Sequence, residues 1–240
     1  MSETILEARD ISKRFGGFTA LSGIDFALQK GERVGLIGPN GSGKSTFVNC
    51  LTGIFAPESG AMIFDGRDIT RMPAWQRARH GLARTYQIPR PFRGMTVQEN
   101  VEVPLRFVVG HTSARAIAEA AREILAQVGL GDKAAHSPKG LTQVELRKLE
   151  LGRALAARPK VLIADEVMAG LSESEVDEIL ELLNRLNADG ISIVLIEHIM
   201  RAVMMFSQRI VVIVAGCKIA DGLPDEVMRQ EEVERAYLGE

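Results

Sequence analysis

The stretch 34-VGLIGPNGSGKSTFVNCL-51 decides the fold. Val34 to Ile37 read as an apolar strand, the glycine-rich residues after them as a turn, and the chain from about Gly43 as a helix. Inside it Gly38-Pro39-Asn40-Gly41-Ser42-Gly43-Lys44-Ser45 fits G-x-x-x-x-G-K-[ST], the P-loop pattern. Glycines let successive backbone N–H groups curl around a phosphate without Cβ clashes. The helix N-terminus adds unsatisfied donors and a partial positive charge. Lys44 is spaced to reach the β- and γ-phosphates, and the Ser45 hydroxyl to bind Mg²⁺. The stretch therefore predicts a site for a purine nucleoside triphosphate, ATP foremost. What the binding drives does not follow from the loop alone.

Working outward, 5-ILEARDISKRF-15 and 24-IDFAL-28 read as short strands joined by a loop containing Gly16 and Gly17, and 57-PESGAMIFDG-66 as turn, strand, turn. Residues 73–80 suggest a short helix started by Pro73, and 83-ARTYQ-87 a brief strand ending in Gln87. From about Thr96 to Val128 the pattern is helical. Ile117, Ala121, Ile124, Leu125 and Val128 share one face, and Gly129 ends that helix. A second helix is expected from Gln143 to Arg158, before Pro159. The α/β alternation then returns: strand 161–164, helix 173–190, strand 192–196, a helix from about Ile199, strand 210–215, a hairpin at Gly216 and a helical tail after Pro224. The apolar runs 191-ISIVLI-196 and 210-IVVIVAG-216 are too short to span a bilayer and read as strands buried on both faces.

The segment 161-VLIADE-166 is an apolar strand that ends in two carboxylates. In P-loop proteins the first such carboxylate faces the Mg²⁺ shell, which assigns Asp165. Glu166, one residue on, is placed to polarise a water in line with the γ-phosphate. Ligands bind beyond the carboxyl ends of parallel strands, so His198, after strand 192–196, is expected to face that phosphate too. His80, His111 and His136 carry no such context.

Composition narrows the classes. A hydrophobic content of 46% with 25% charged residues is that of a globular protein, and a net charge of −2 supplies no field favouring nucleic acid. Cys50 and Cys217 form neither a metal-type nor a disulfide-type spacing, and Cys50 falls on the helix after the P-loop as a core residue. These features point to a cytosolic chain without a secretory signal. Arg67, Arg71, Arg77, Arg79, Arg84, Arg90 and Arg93 give the region around Gln87 a positive bias. A solvated face is the favoured reading; contact with a membrane-protein loop or with anionic headgroups is the alternative.

Taken together, Phe15, the loop 38-GPNGSGKST-46, Gln87, 141-LTQVELRKLELGRAL-155, 161-VLIADE-166 and His198 resemble an ABC-transporter ATPase subunit over essentially the whole chain. Closer still, 15-FGGFTAL-21, 92-FRGMTVQENV-101, 165-DEVMAGL-171 and 195-LIEH-198 resemble the ATPase subunits of branched-chain amino-acid importers. The resemblance implies an α/β P-loop NTPase with a RecA-like core, an antiparallel β subdomain and an inserted helical subdomain. All of 1–240 would form one ABC ATPase domain, with the core and β lobe at about 1–87 and 160–240 and the helical lobe at about 96–158. It implies a cytoplasmic ATPase, peripheral on the inner face of the membrane, that dimerises around two ATP and drives permease subunits. A periplasmic substrate-binding protein would act indirectly, and no nucleic-acid partner is expected. Carried over by position, Phe15 would stack on adenine, although a core role for it stays open. Ser45, Gln87 and Asp165 would serve Mg²⁺, and Thr46 the α-phosphate. Glu166 would be the general base, His198 the γ-phosphate switch, and the loop after Gln87 the permease sensor.

Two departures stand out. The family signature L-S-G-G-Q is here Leu141-Thr142-Gln143-Val144-Glu145, where Thr142 and Glu145 form a capping-box pattern but both glycines are replaced. After the Asp-Glu pair, Val167 and Ser172 stand where the family usually has Pro and Asp. A homodimer would place a poor signature opposite both nucleotides, which favours a heterodimer with a related ATPase. Two other readings are a lipid or lipopolysaccharide exporter ATPase and a soluble ABC-type ATPase acting on nucleic acid. The latter usually carries two cassettes or a long coiled coil, and neither pattern is seen here.

Overall fold

A computed structural model describes residues 3–110 and 113–238, so that His111 lies outside the described residues. β1 (Thr4–Phe15) and β2 (Phe18–Gln29) form a long antiparallel hairpin. β1 agrees with the expected 5–15 to within a residue, whereas β2 starts well before the expected 24–28, because Ala20 and Leu21 are buried as Ile24, Phe26 and Leu28 are. β3 (Arg33–Ile37) leads into the P-loop and α1 (Lys44–Leu51). β4 (Ser59–Phe64) and β5 (Arg67–Asp68) complete a four-stranded antiparallel sheet in the order β2-β1-β4-β5.

Next come α2 (Ala74–Arg79), β6 (Leu82–Arg84), α3 (Val97–Pro104), a π-helical turn at Leu105–Val109 and α4 (Ala114–Gln127). α5 (Gln143–Leu155) precedes β7 (Val161–Asp165), α6 (Glu173–Ala188), β8 (Ser192–Ile196), α7 (Met200–Phe206) and β9 (Arg209–Val214). β10 (Cys217–Gly222), α8 (Pro224–Met228) and α9 (Glu231–Leu238) end the described chain. The second sheet has six strands in the order β10-β9-β3-β8-β7-β6, parallel except for the β9–β10 hairpin. It carries the P-loop and both strand-end carboxylates on one rim.

Three boundaries differ from expectation. β6 stops at Arg84, which leaves Gln87 on the loop beyond it. Thr85 still bonds its N–H to Ile163 O at 3.0 Å, but in the register that pairs Arg84 with Ile163, Gln87 falls beyond the end of β7 at Asp165. α5 stops at Leu155 because Arg158, ahead of Pro159, adopts φ 52°, outside the helical region. α6 ends at Ala188, short of the glycine at 190.

α1 lies between the two sheets. Phe47, Val48, Cys50 and Leu51 pack there with Leu6 and Phe26 from one sheet and Leu36 and Ile163 from the other. Full burial of Phe47 or Leu51 is worth roughly 2–3 kcal/mol each, so the helix behind the P-loop is fixed from both sides. A second core joins α3–α6 to the other face of β7 and β8 through Val101, Leu125, Leu149, Leu162 and Leu183. A third holds α7, α8 and α9 on β3 and β9.

The arginine-rich stretch is not one solvated face. Arg67, Arg71, Arg79, Arg90 and Arg93 are exposed, whereas Arg77 is 1% exposed. Its guanidinium donates to Cys50 O, Leu51 O, Met72 O and Thr70 O at 2.7, 2.6, 2.8 and 3.2 Å, capping the end of α1. Burial pulls its pKa down to about 10. Arg84 also turns inward, toward the site described next.

Candidate active site

The P-loop needs its glycines for space as well as for backbone freedom. A Cβ on Gly38 would stand 2.0 Å from Ile213 O, and one on Gly43, at φ 109°, would stand 2.8 Å from Ala20 O. Lys44 is almost buried. Its Nζ donates to Gly38 O at 2.6 Å and to Pro39 O at 3.0 Å, so the loop's own carbonyls satisfy the ammonium. Burial draws its pKa down, and the charges of Glu166 and Asp165 oppose that shift. Ser42 Oγ is buried with no partner among the described residues, a polar atom left over inside the phosphate cradle. Asn40, Gly41, Ser45 and Thr46 line the same hollow of about 170 Å³, and Glu166 and His198 close it from the opposite side.

β7 delivers the carboxylates. Asp165, at its end, is 7% exposed, and its N–H donates to Thr85 Oγ1 at 3.0 Å. Its Oδ2 accepts from Arg84 Nη2 at 2.6 Å, while Arg84 Nη1 donates to Asn49 Oδ1 on α1 at 2.6 Å. Glu166 adopts φ 48°, in the left-handed region, and donates its N–H to Ile196 O at 2.9 Å. Its carboxylate is held between two polar side chains. Oε2 accepts from Gln87 Nε2 at 2.5 Å, and Oε1 lies 3.1 Å from His198 Nε2. Gln87, Glu166 and His198, far apart in sequence, thus form one hydrogen-bonded row beside the P-loop.

A larger cleft of about 530 Å³ adjoins this row, lined by Ser45, Gln87, Asp165 and Glu166, with Arg84 and Arg153. A hydroxyl, a carboxylate and an amide oxygen are hard oxygen donors. They fit Mg²⁺, which keeps waters and takes phosphate oxygens rather than needing an all-protein cage. Among the described residues, no group of three or more His, Cys, Asp or Glu could hold a metal ion.

Phe15 is 43% exposed, which removes the core reading for it; its ring meets Phe55 edge-on at 5.3 Å, with Lys13 Nζ 5.4 Å away. Phe18, its partner across the hairpin, lines the P-loop hollow and is 65% exposed. Thr142 caps α5: Glu145 N donates to Thr142 Oγ1 at 3.4 Å, and Glu145 Oε2 accepts from Thr142 N at 2.9 Å. Gln143 is exposed, whereas Leu141 and Val144 are half-buried against the helical core with Leu171. These signature residues stand apart from the chain's own P-loop hollow.

Sequence reasoning missed four groups here: Phe18, Arg84, Arg147 and Glu197. Glu197 is 2% exposed. Burial pushes its pKa up to about 7, although Met168 N–H and His198 N–H donate to it and Arg147 also opposes the rise. Arg147, 6% exposed, has its pKa lowered by burial. Only the adjacency of Glu197 to His198 could have pointed to it.

A P-loop opening a helix, a histidine after the adjacent parallel strand β8, and two carboxylates at the end of β7 one strand further on define a nucleotide-binding cassette of the P-loop class. The family model described as ABC transporter matches residues 21–169, and this chain belongs to that family. It is 37% identical to the high-affinity branched-chain amino acid transport ATP-binding protein BraF of Pseudomonas aeruginosa, over all of both chains. It is 38% identical, again over all of both chains, to the protein of the same description named LivG in Escherichia coli K12. Among solved structures, the ADP conformation of MJ1267, an ATP-binding cassette of an ABC transporter, superposes with a TM-score of 0.89 at 30% identity over all of both chains.

Proposed function

We propose that this chain hydrolyses ATP to ADP and phosphate, as the motor subunit of a membrane importer for branched-chain amino acids or related small polar solutes. The observation that carries hydrolysis is the Glu166 carboxylate, held by Gln87 and His198 across from the Lys44 loop. Lys44 would leave the carbonyls of Gly38 and Pro39 for the β- and γ-phosphates, an exchange of neutral acceptors for charged ones. Glu166 would take a proton from the attacking water, and His198 and the amide of Gln87 would orient it. Bound Mg²⁺, on Ser45 and Asp165 with the Gln87 amide oxygen nearby, would neutralise charge developing on the phosphates.

The import role rests on the full-length relatedness to BraF and LivG. It is supported by an apolar surface around the Gln87 loop. Tyr86, Ile88 and Phe92 are between 42% and 66% exposed there, apolar side chains suited to contact with a permease. No helix among the described residues is long and apolar enough to cross a membrane, so attachment through permease subunits suits a peripheral, inner-face location. We read the chain as one cassette with helical lobe 96–158. Its signature 141–145 would face the nucleotide of a second ATPase subunit, and Phe15 would stack on adenine.

Glu166→Gln tests hydrolysis directly. Nucleotide affinity should stay at the wild-type value in calorimetry while turnover falls at least ~10²-fold, the size of a general-base contribution. Lys44→Ala should instead weaken ADP and ATP binding itself. Wild-type turnover in Glu166→Gln would remove Glu166 as the base. Copurification with a permease, followed by solute binding to its periplasmic receptor, tests the import assignment.

A further inference from the structure

α5 begins at the signature residues, yet its next turns reach back to the chain's own catalytic row. Arg147 Nη1 donates to the main-chain carbonyl of Gln87, and Nη2 donates to Ala169 O at 3.1 Å. Gln143 Nε2 donates to the same Ala169 carbonyl at 3.2 Å. The Gln143 amide lies directly against the turn that follows Glu166, since a Cβ on Gly170 would stand 2.6 Å from Gln143 Nε2. From behind, Glu197 accepts Met168 N–H at 2.7 Å. One buried guanidinium thus spans the two loops that carry Gln87 and Glu166, whose side chains meet each other at 2.5 Å. Glu197, Glu166 and Glu150 surround it and favour its charge.

We propose that Arg147 is a positioning residue for hydrolysis. From the signature helix, with Gln143 as its second tie, it fixes the Gln87 loop against the Glu166–Leu171 turn and so sets where the Gln87 amide meets the Glu166 carboxylate. A planar guanidinium can bridge two carbonyls, whereas an ammonium on a flexible stem holds only one of them firmly. Misplacing a catalytic pair by about 1 Å is enough to cost up to ~10²-fold in rate. Gln143 replaces a glycine of the family pattern. Its side chain therefore acts on the chain's own turn, as well as standing at the surface expected to meet a partner's nucleotide.

This inference rests on the hydrolysis reading above, and the test separates the two. The full chain is assayed for ATP turnover and for ADP affinity by calorimetry, as wild type, Arg147→Lys, Gln87→Ala and the double variant. Arg147→Lys should keep ADP affinity within about twofold and lower kcat at least about tenfold with little change in KM. In the Gln87→Ala background, where the positioned amide is gone, the same substitution should cost less than about twofold more. A general packing role would instead multiply the two losses. Should Arg147→Lys not fold, Gln143→Ala replaces it, because that side chain is exposed; it should lower kcat about threefold at unchanged ADP affinity. Turnover at the wild-type level in the variant used, or fully multiplicative losses, overturns the proposal. A wild-type chain that binds ADP but never turns over ATP refutes the hydrolysis reading instead.

Discussion

Replacing Glu197 by Gln should make the protein more stable at alkaline pH and leave it nearly unchanged at acidic pH. The Glu197 carboxyl is buried beside His198, and its pKa stands near 7 against 4.5 in its ordinary state. The folded chain therefore holds a proton that the unfolded chain has released between those values. Stability from this group is full below about pH 4.5, falls as pH rises toward 7, and is level above. At 1.36 kcal/mol per unit, the penalty on the ionised form is about 3 kcal/mol above pH 7. Gln is neutral at every pH, and its carbonyl still accepts Met168 N–H, so it removes the penalty and keeps the tie. Thermal unfolding of both proteins without nucleotide, at pH 5 and at pH 8.5, reads the difference. For a chain of this length the two Tm values should differ by only about 2–3 °C at pH 5, where the penalty is about 0.8 kcal/mol. They should separate by about 6–12 °C at pH 8.5, the variant higher. An equal gap at both pH values, or a variant that melts lower at pH 8.5, would refute the argument that Glu197 carries its proton into the fold.

Arg77→Met keeps the length of the side chain but strands the carbonyls of Cys50, Leu51 and Met72 in the core, and urea unfolding should show a loss of about 3 kcal/mol or more. Val144→Gly should open the signature to close approach by a phosphate while leaving Gln143 and Thr142 in place. ATP turnover of the isolated chain should then rise by about threefold or more, and unchanged turnover would show that the signature works as it stands and would remove the reason for preferring a heterodimer.

The parts of the site that were legible are those whose geometry is local. A strand, a glycine turn and a helix placed Lys44 and Ser45 within one short segment. The runs 161–165 and 192–196 were readable as buried strands because every residue in them is apolar or terminal, and both are buried throughout. Once those strands are parallel neighbours, Glu166 and His198 must emerge on the same rim, since β7 and β8 are paired in register from Val161↔Ser192 to Asp165↔Ile196. Gln87 was harder. It reaches the row from a loop rather than a strand, and its place depends on Arg147, which bonds its carbonyl from 60 residues away.

The arginines show why the rest was hidden. Arg77, Arg79 and Arg84 look alike in a basic run, and composition assigns all three to solvent. Arg79 does lie outside, with its guanidinium 5.1 Å from the Trp75 ring, but Arg77 caps α1 from within and Arg84 joins Asn49 to Asp165. What separates them is the supply of unsatisfied acceptors. The C-terminal carbonyls of α1 need donors wherever the helix is buried at that end, and Arg77 sits where α2 packs over it. Asp165 needs a positive neighbour because it is buried at a strand end, and β6, alongside β7, presents Arg84 there. Each acceptor is visible in the sequence as a helix end or a strand-end acid. Its donor is fixed only when β6 is placed beside β7 and α2 against α1, which are pairings between distant segments that no local pattern encodes.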